Sequence, residues 1–209
     1  MRSKMGKVLS RHGRENVGLY LFMIGSFIIG IILGTLAVEA LDVNQEGQLS
    51  QYLDWFFQEI SRLELDNNQV VIETMLRNIG SIALIAFLGL TVIGAPIILL
   101  VILLRGFVLG FTVGFLVQEK AAVGILIAIT SIFPQNLINI PAWIVAGVAA
   151  VSFSLMLIRG TKKEKKTVWQ SLLSYLTFMG ILTLVAVVGA LVEIYISPIF
   201  LRLLAGYFL

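Results

Sequence analysis

The sequence predicts an all-α protein: a polytopic bundle of about five transmembrane helices, with a re-entrant Pro/Asn-containing segment and an external amphipathic helix. Three observations predict it. Hydrophobic residues make up 58% of the 209 and charged residues only 13%, where a typical soluble domain is about a quarter charged. One globule of this size cannot hide so many apolar side chains, so lipid must cover the rest. Apolar runs also recur at lengths that cross a bilayer core of about 30 Å at about 1.5 Å per helical residue. Finally, the lysines and arginines gather in blocks beside those runs instead of along one face, as membrane topology requires.

Residues 1–16 are polar and basic, with Arg2, Lys4, Lys7, Arg11 and Arg14 against Glu15. The first predicted span is 17–40. It is longer than a usual signal core and ends without a small-residue cleavage pattern, so it reads as a retained helix. Ser26, Gly30 and Gly34 share one face at a spacing of four, which lets a neighbouring helix approach closely.

The next stretch, 42–76, carries seven acids (Asp42, Glu46, Asp54, Glu59, Glu64, Asp66 and Glu73) and one base, Arg62. Leu49, Tyr52, Leu53, Phe56, Phe57, Ile60 and Leu63 recur within it at three- and four-residue steps. That period defines an amphipathic helix. Its aromatic residues suit a membrane–water boundary or a partner groove, and Tyr52, Phe56 and Phe57 are the candidate partner contacts. Packing on the spans is the plainer use of the same face.

From Asn78 to Val117 the chain is almost unbroken apolar, too long for one span. Gly94-Ala95-Pro96 is the natural break, dividing it into spans at 78–93 and 96–117. The second contains Arg105, followed by Gly106, Gly110 and Gly114, a doubled GxxxG face that helix packing explains. The apolar run 121–133 is short for a crossing. Pro134, Gln135, Asn136, Asn139 and Pro141 follow it. Prolines at membrane depth leave backbone groups unpaired, which is tolerated only inside protein or beside water. A re-entrant segment over 121–141 is therefore expected, then a span at 142–158 with Ala142, Ala146, Ala150 and Ser154 on one face. A second basic block occupies 159–166, and a last span runs over 168–196. Ser197-Pro198 reads as the start of a short new helix.

The organisation expected is a basic cytoplasmic segment, 1–16, and a single transmembrane domain, 17–209. Basic blocks stay on the cytoplasmic side. An even number of crossings therefore separates residues 1–16 from 159–166, the acidic segment 42–76 lies outside, and the C-terminus lies outside.

Enzyme chemistry has little to work with. There is no cysteine, hence no thiolate metal site. The one histidine, His12, sits in the basic segment, where no Ser/His/Asp or Cys/His set can form around it. No HExxH and no phosphate-binding glycine loop occurs. No catalytic residue, cofactor, metal or nucleic acid is expected. Arg105 is the sharpest feature, because a charge near mid-span is costly unless paired or wet. Glu39, Glu193 and the carbonyls freed near Pro134 and Pro141 are candidate partners. A helix break that lets Arg105 reach the cytoplasmic side is the other reading.

The run from Pro134 through Gln135, Asn136, Asn139 and Pro141 to Ala142 resembles the signature of the stage II sporulation protein M family. Leu104 to Phe111 resembles that family's glycine-bearing span, and Arg77-Asn78 its opening of the second span. Glu193 to Pro198 resembles its C-terminal glutamate and proline element. These elements occur in family order and cover nearly the whole chain. Broader relatives carry Pro-His-Gly and a glutamate before the second proline; here Gln135, Asn136 and Asn139 stand instead, which removes the ionisable groups. The resemblance implies a non-catalytic membrane scaffold on the mother-cell side of the sporulation septum. Such a scaffold would place stage II sporulation proteins P and D, which cut peptidoglycan, during engulfment. Self-association into a homo-oligomer is compatible with it. The competing reading is the permease subunit of an exporter, working with a separate ATPase and motivated by Arg105 and the Pro/Asn run.

Overall fold

The computed structural model describes residues 16–62, 68–91, 93–159 and 168–201. Residues 1–15 with His12, the Leu63, Glu64 and Asp66 positions, most of the second basic block and the end from Arg202 lie outside the described residues. These residues form six α-helices in order: α1 (Val17–Glu39), α2 (Val43–Arg62), α3 (Asn68–Gly89), α4 (Gly94–Ile127), α5 (Phe133–Arg159) and α6 (Val168–Leu191). In this listing the described residues alone are meant. One π-helical turn, Ala128–Ile132, joins α4 to α5, and another, Val192–Ile196, extends α6. No strand occurs among the described residues. The protein is an all-α helical membrane bundle.

Among the described residues, four helices are long and apolar enough to cross a membrane: Val17–Glu39, Asn68–Gly89, Gly94–Ile158 and Trp169–Leu201. The third has 65 residues, about 98 Å at 1.5 Å per residue if straight. It is not straight. Ala121 adopts φ 46° and ψ −121°, a conformation that suits glycine and strains a residue with a Cβ. Behind it the chain doubles back: a methyl at Gly124 would strike the Leu116 carbonyl oxygen. The 65 residues are thus two legs, 94–120 and 122–158, folded against each other. Ala121→Gly should relieve the strain and raise stability by about 1 kcal/mol, seen as a higher unfolding midpoint in detergent. Ala121→Val should lower it.

The helix bounds differ from expectation in three places, each with a local cause. Helix α3 begins at Asn68, not near 78. Val70, Val71, Ile72 and Leu76 contain no breaker, so the last part of the acidic stretch joins this helix and not the amphipathic one. The prolines do not interrupt the backbone as expected of the stretch 121–141, which is helical from 122 onward. Phe133 N–H bonds to the Ala128 carbonyl across five residues, and Pro134 comes next. Ser197 N–H bonds to the Val192 carbonyl in the same way, and Pro198 comes next. A proline ring collides with the carbonyl four residues back in an ordinary helix, and a widened π turn moves that carbonyl aside. Pro198 therefore continues a helix instead of opening one. Pro141 lies inside α5 and leaves the Leu137 carbonyl without its helical donor. The break at 94–96 stands where expected: α3 ends at Gly89, and Pro96 sits in the first turn of α4, where its missing N–H costs nothing.

Close approach builds the centre of the bundle. Methyl groups at Gly30 and Gly34 would strike the Leu103 and Phe107 carbonyl oxygens, and methyls at Gly106 and Gly110 would strike those of Phe27 and Ile31. The small-residue faces predicted for the first span and for 106–114 thus meet each other, backbone on backbone. Met23, Ile82, Ile98, Ile102, Val148 and Met179 fill the core around this seam.

Polar contacts define the two ends. At one, Ser152 Oγ lies 3.3 Å from Asn16 Oδ1 and Ser154 Oγ donates to the Thr91 carbonyl at 2.8 Å. At the other, α2 is held on the Ala121 turn. Lys120 pairs with Asp54 at 2.9 Å, Gln118 donates to Glu46 at 2.8 Å and Ser50 donates to Glu119 at 2.7 Å.

Candidate functional site: a polar cluster between the helices

Between the two ends, four helices bring polar side chains together. Thr74, Asn78 and Ser81 lie on the buried face of α3 along with Ile82 and Ile85. Their steps of three and four put them on one stripe. Helix α4 adds Arg105, α5 adds Asn139 and Trp143, and the π turn after α6 adds Glu193.

Glu193 is the hub. Arg77 pairs with its Oε1, and Asn78 Nδ2 donates to its Oε2 at 3.0 Å. Asn139 Nδ2 then donates to Asn78 Oδ1 at 3.0 Å, so one chain of bonds runs from Arg77 through Glu193 and Asn78 to Asn139. Asn139 is 2% exposed, and room for its amide depends on Gly189, where a methyl would overlap Asn139 Oδ1. A second branch begins at Arg105, which donates to Ser81 Oγ. The Ser81 hydroxyl in turn donates to the Arg77 carbonyl at 2.6 Å. The Arg105 guanidinium also lies 4.4 Å from the Trp143 ring centroid, a cation–π distance. Two buried polar atoms, Asn139 Oδ1 and Trp143 Nε1, have no protein partner. The cluster holds two guanidinium groups against one carboxylate.

The structure sorts the residues singled out in the sequence. Arg105, Asn139 and Glu193 meet in the cluster. Gln135 lies a layer away and accepts from Ser197 Oγ at 3.1 Å, next to Pro198. Asn136 turns back to its own helix and donates to the Ile132 carbonyl at 2.8 Å. Gly106 and Gly110 belong to the α1–α4 seam, and Pro134 and Pro198 follow the π turns, with Pro141 inside α5. Tyr52 is exposed on α2, its ring centroid 5.7 Å from that of Trp55. Phe56 and Phe57 fall in the same helix, but their side chains lie outside the described residues.

Arg105 does not pair with Glu193 or Glu39. Its direct partners are the Ser81 hydroxyl and the Trp143 indole face, while Glu193 is bonded to Arg77 and Asn78. Sequence reasoning missed Ser81 and Trp143, and treated Arg77 and Asn78 only as part of a motif. The available signal was the Asn78/Ser81 spacing on one face of an apolar helix, where a buried amide needs a partner.

Fold and site together define a multi-pass helical membrane protein whose helices are cross-tied by an arginine–glutamate–asparagine network that runs from the exposed Arg77 to the buried Asn139. The chain belongs to the stage II sporulation protein M family, whose model matches residues 23–198. That range runs from within α1 to Pro198 and includes every residue of the cluster. No curated protein and no solved structure matches the chain.

Proposed function

We propose that this sporulation membrane protein is a non-catalytic scaffold that recruits and positions peptidoglycan hydrolases, the stage II sporulation proteins P and D, for septal thinning and membrane migration in engulfment. Family membership supports the setting. The observation that carries the docking role is α2. It is clamped on the Ala121 turn by three polar contacts while Tyr52 and Trp55 stay 63% and 54% exposed. Aromatic residues held on a rigid element are effective anchors for a partner.

The bundle and the basic blocks together support one orientation. Asn16 and residues 152–154 share one end, and each adjoins a basic block, so that end is cytoplasmic by the positive-inside rule. On this reading the Ala121 turn and α2 face outward, and with both legs of the 94–158 segment crossing, the chain spans the membrane five times and ends outside. The mother-cell side of the septum is the matching location.

Affinity capture from sporulating membranes tests the scaffold. Murein hydrolases should co-purify, and Tyr52→Ser with Trp55→Ser should reduce their recovery about tenfold, the loss of roughly 1.4 kcal/mol of anchoring. Recovery without hydrolases refutes the reading. A second reading, the permease subunit of an exporter, is favoured by a polar cluster flanked by two π turns, features common where helices line a substrate site. Co-purification of an ATPase, with solute movement in liposomes, would establish that reading instead.

A further inference from the structure

We propose that Arg105 is a docking point, within the membrane, for a partner helix that carries a carboxylate near its own mid-span. The proposal rests on the scaffold reading and adds to it the chemistry of the partner.

Charge balance is the first argument. Among the described residues at this depth stand Arg77, Arg105 and Glu193. Glu193 is one carboxylate between two guanidinium groups, and it pairs directly with Arg77 and accepts from Asn78, so one positive charge is left over. The Ser81 hydroxyl and the Trp143 ring hold Arg105 in place but do not cancel its charge. An unpaired charge in a span is costly, and such residues normally face a countercharge or water.

Depth and access choose the source of the missing anion. Arg105 lies about 16 Å along α4 from Gly94 and about 22 Å from Lys120, at 1.5 Å per residue. A lipid phosphate stays at the surface and does not reach it. Arg105 itself is only partly buried. Leu104 and Val108 beside it on α4 are exposed. On α3, Gly80 adjoins Ser81 and has open space where a Cβ would stand, so a helix backbone can come close there. Leu84, one turn further, is exposed too. A second copy of this chain does not supply the carboxylate: its deep acid, Glu193, is already neutralised by its own Arg77, while Glu39 ends α1 and Glu119 lies beside the Ala121 turn. A different chain with an aspartate or glutamate in its span fits.

Photo-crosslinking in sporulating cells tests this, with a benzophenone amino acid at Leu84 of the full chain. The expected adduct maps to a partner's membrane span bearing an acid at mid-depth. Its yield should fall at least about tenfold in Arg105→Gln and persist in Arg105→Lys. It should fall equally when the partner's acid is changed to its amide beside an unaltered Arg105, a variant that leaves the folding of this chain untouched. Adducts only with lipid or with a second copy, an adduct on a span lacking such an acid, or an unchanged yield in Arg105→Gln would each overturn the proposal. Hydrolase capture that survives Arg105→Gln undiminished rejects the docking point yet keeps the scaffold. An acidic span crosslinked from a protein unrelated to murein cleavage does the reverse.

Discussion

Replacing Gly106 and Gly110 together by leucine should drive α1 away from α4 and unfold the bundle. At both positions even a methyl group would overlap a backbone carbonyl oxygen of α1. Backbone cannot swing aside as a side-chain tip can, so the helices must separate. Overpacking of this kind costs about 1–3 kcal/mol per site, against a total stability of about 5–15 kcal/mol. The loss is worse in lipid, where association depends on close van der Waals packing and not on water exclusion. The double variant should lose its folded, monodisperse state in mild detergent, and Gly110→Ala alone should lower the unfolding midpoint measurably. Gly80→Ala and Gly180→Ala meet nothing within 4 Å and serve as controls that should stay near the parent. If the leucine pair kept parental stability, the α1–α4 seam would be wrong. Because α1 already occupies this face, it is a folding surface and not an open site for partners.

Glu193→Ala is expected to be the most damaging change in the polar cluster. It leaves Arg77 without a countercharge, strips Asn78 of an acceptor and removes the nearest anion to Arg105. Breaking a buried pair from one side costs about 3–5 kcal/mol. Arg77 is 60% exposed along its side chain and Glu193 20%, which places this pair nearer 2–3 kcal/mol, since exposed pairs contribute less. The cluster also predicts a rescue. Arg77→Gln combined with Glu193→Gln should be less damaging than the sum of the two single variants, because the stranded charge is gone. A double-mutant cycle by denaturant unfolding in micelles measures that coupling, and strict additivity would show that the two side chains do not interact.

The all-α membrane class was legible because lipid-facing composition does not depend on how the helices are arranged. The Gly94–Pro96 break was legible for a similar reason: it is a property of local backbone chemistry. The two π turns were not. Pro134 and Pro198 signal a disturbed helix, but a break and a widened turn both accommodate a ring without an N–H, and neighbouring helices choose between them. The start of α3 was misplaced by about ten residues because its first turns still carry Glu73 and Arg77. Charges at the end of a long helix look, in sequence, like charges on a surface helix.

Residue types and their spacing alone determined that this chain lives in lipid, that its glycine faces serve close helix contact, and that Arg105 needs a partner. Only the tertiary structure decided which faces meet and which charges pair. Glu193 binds Arg77 and Asn78, separated from it by more than a hundred residues, and Arg105 is left with Ser81 and Trp143. Periodicity assigns a residue to a face of its own helix. Which helix that face meets, and at what depth, depends on the doubling back at Ala121 and on the packing of all the helices at once.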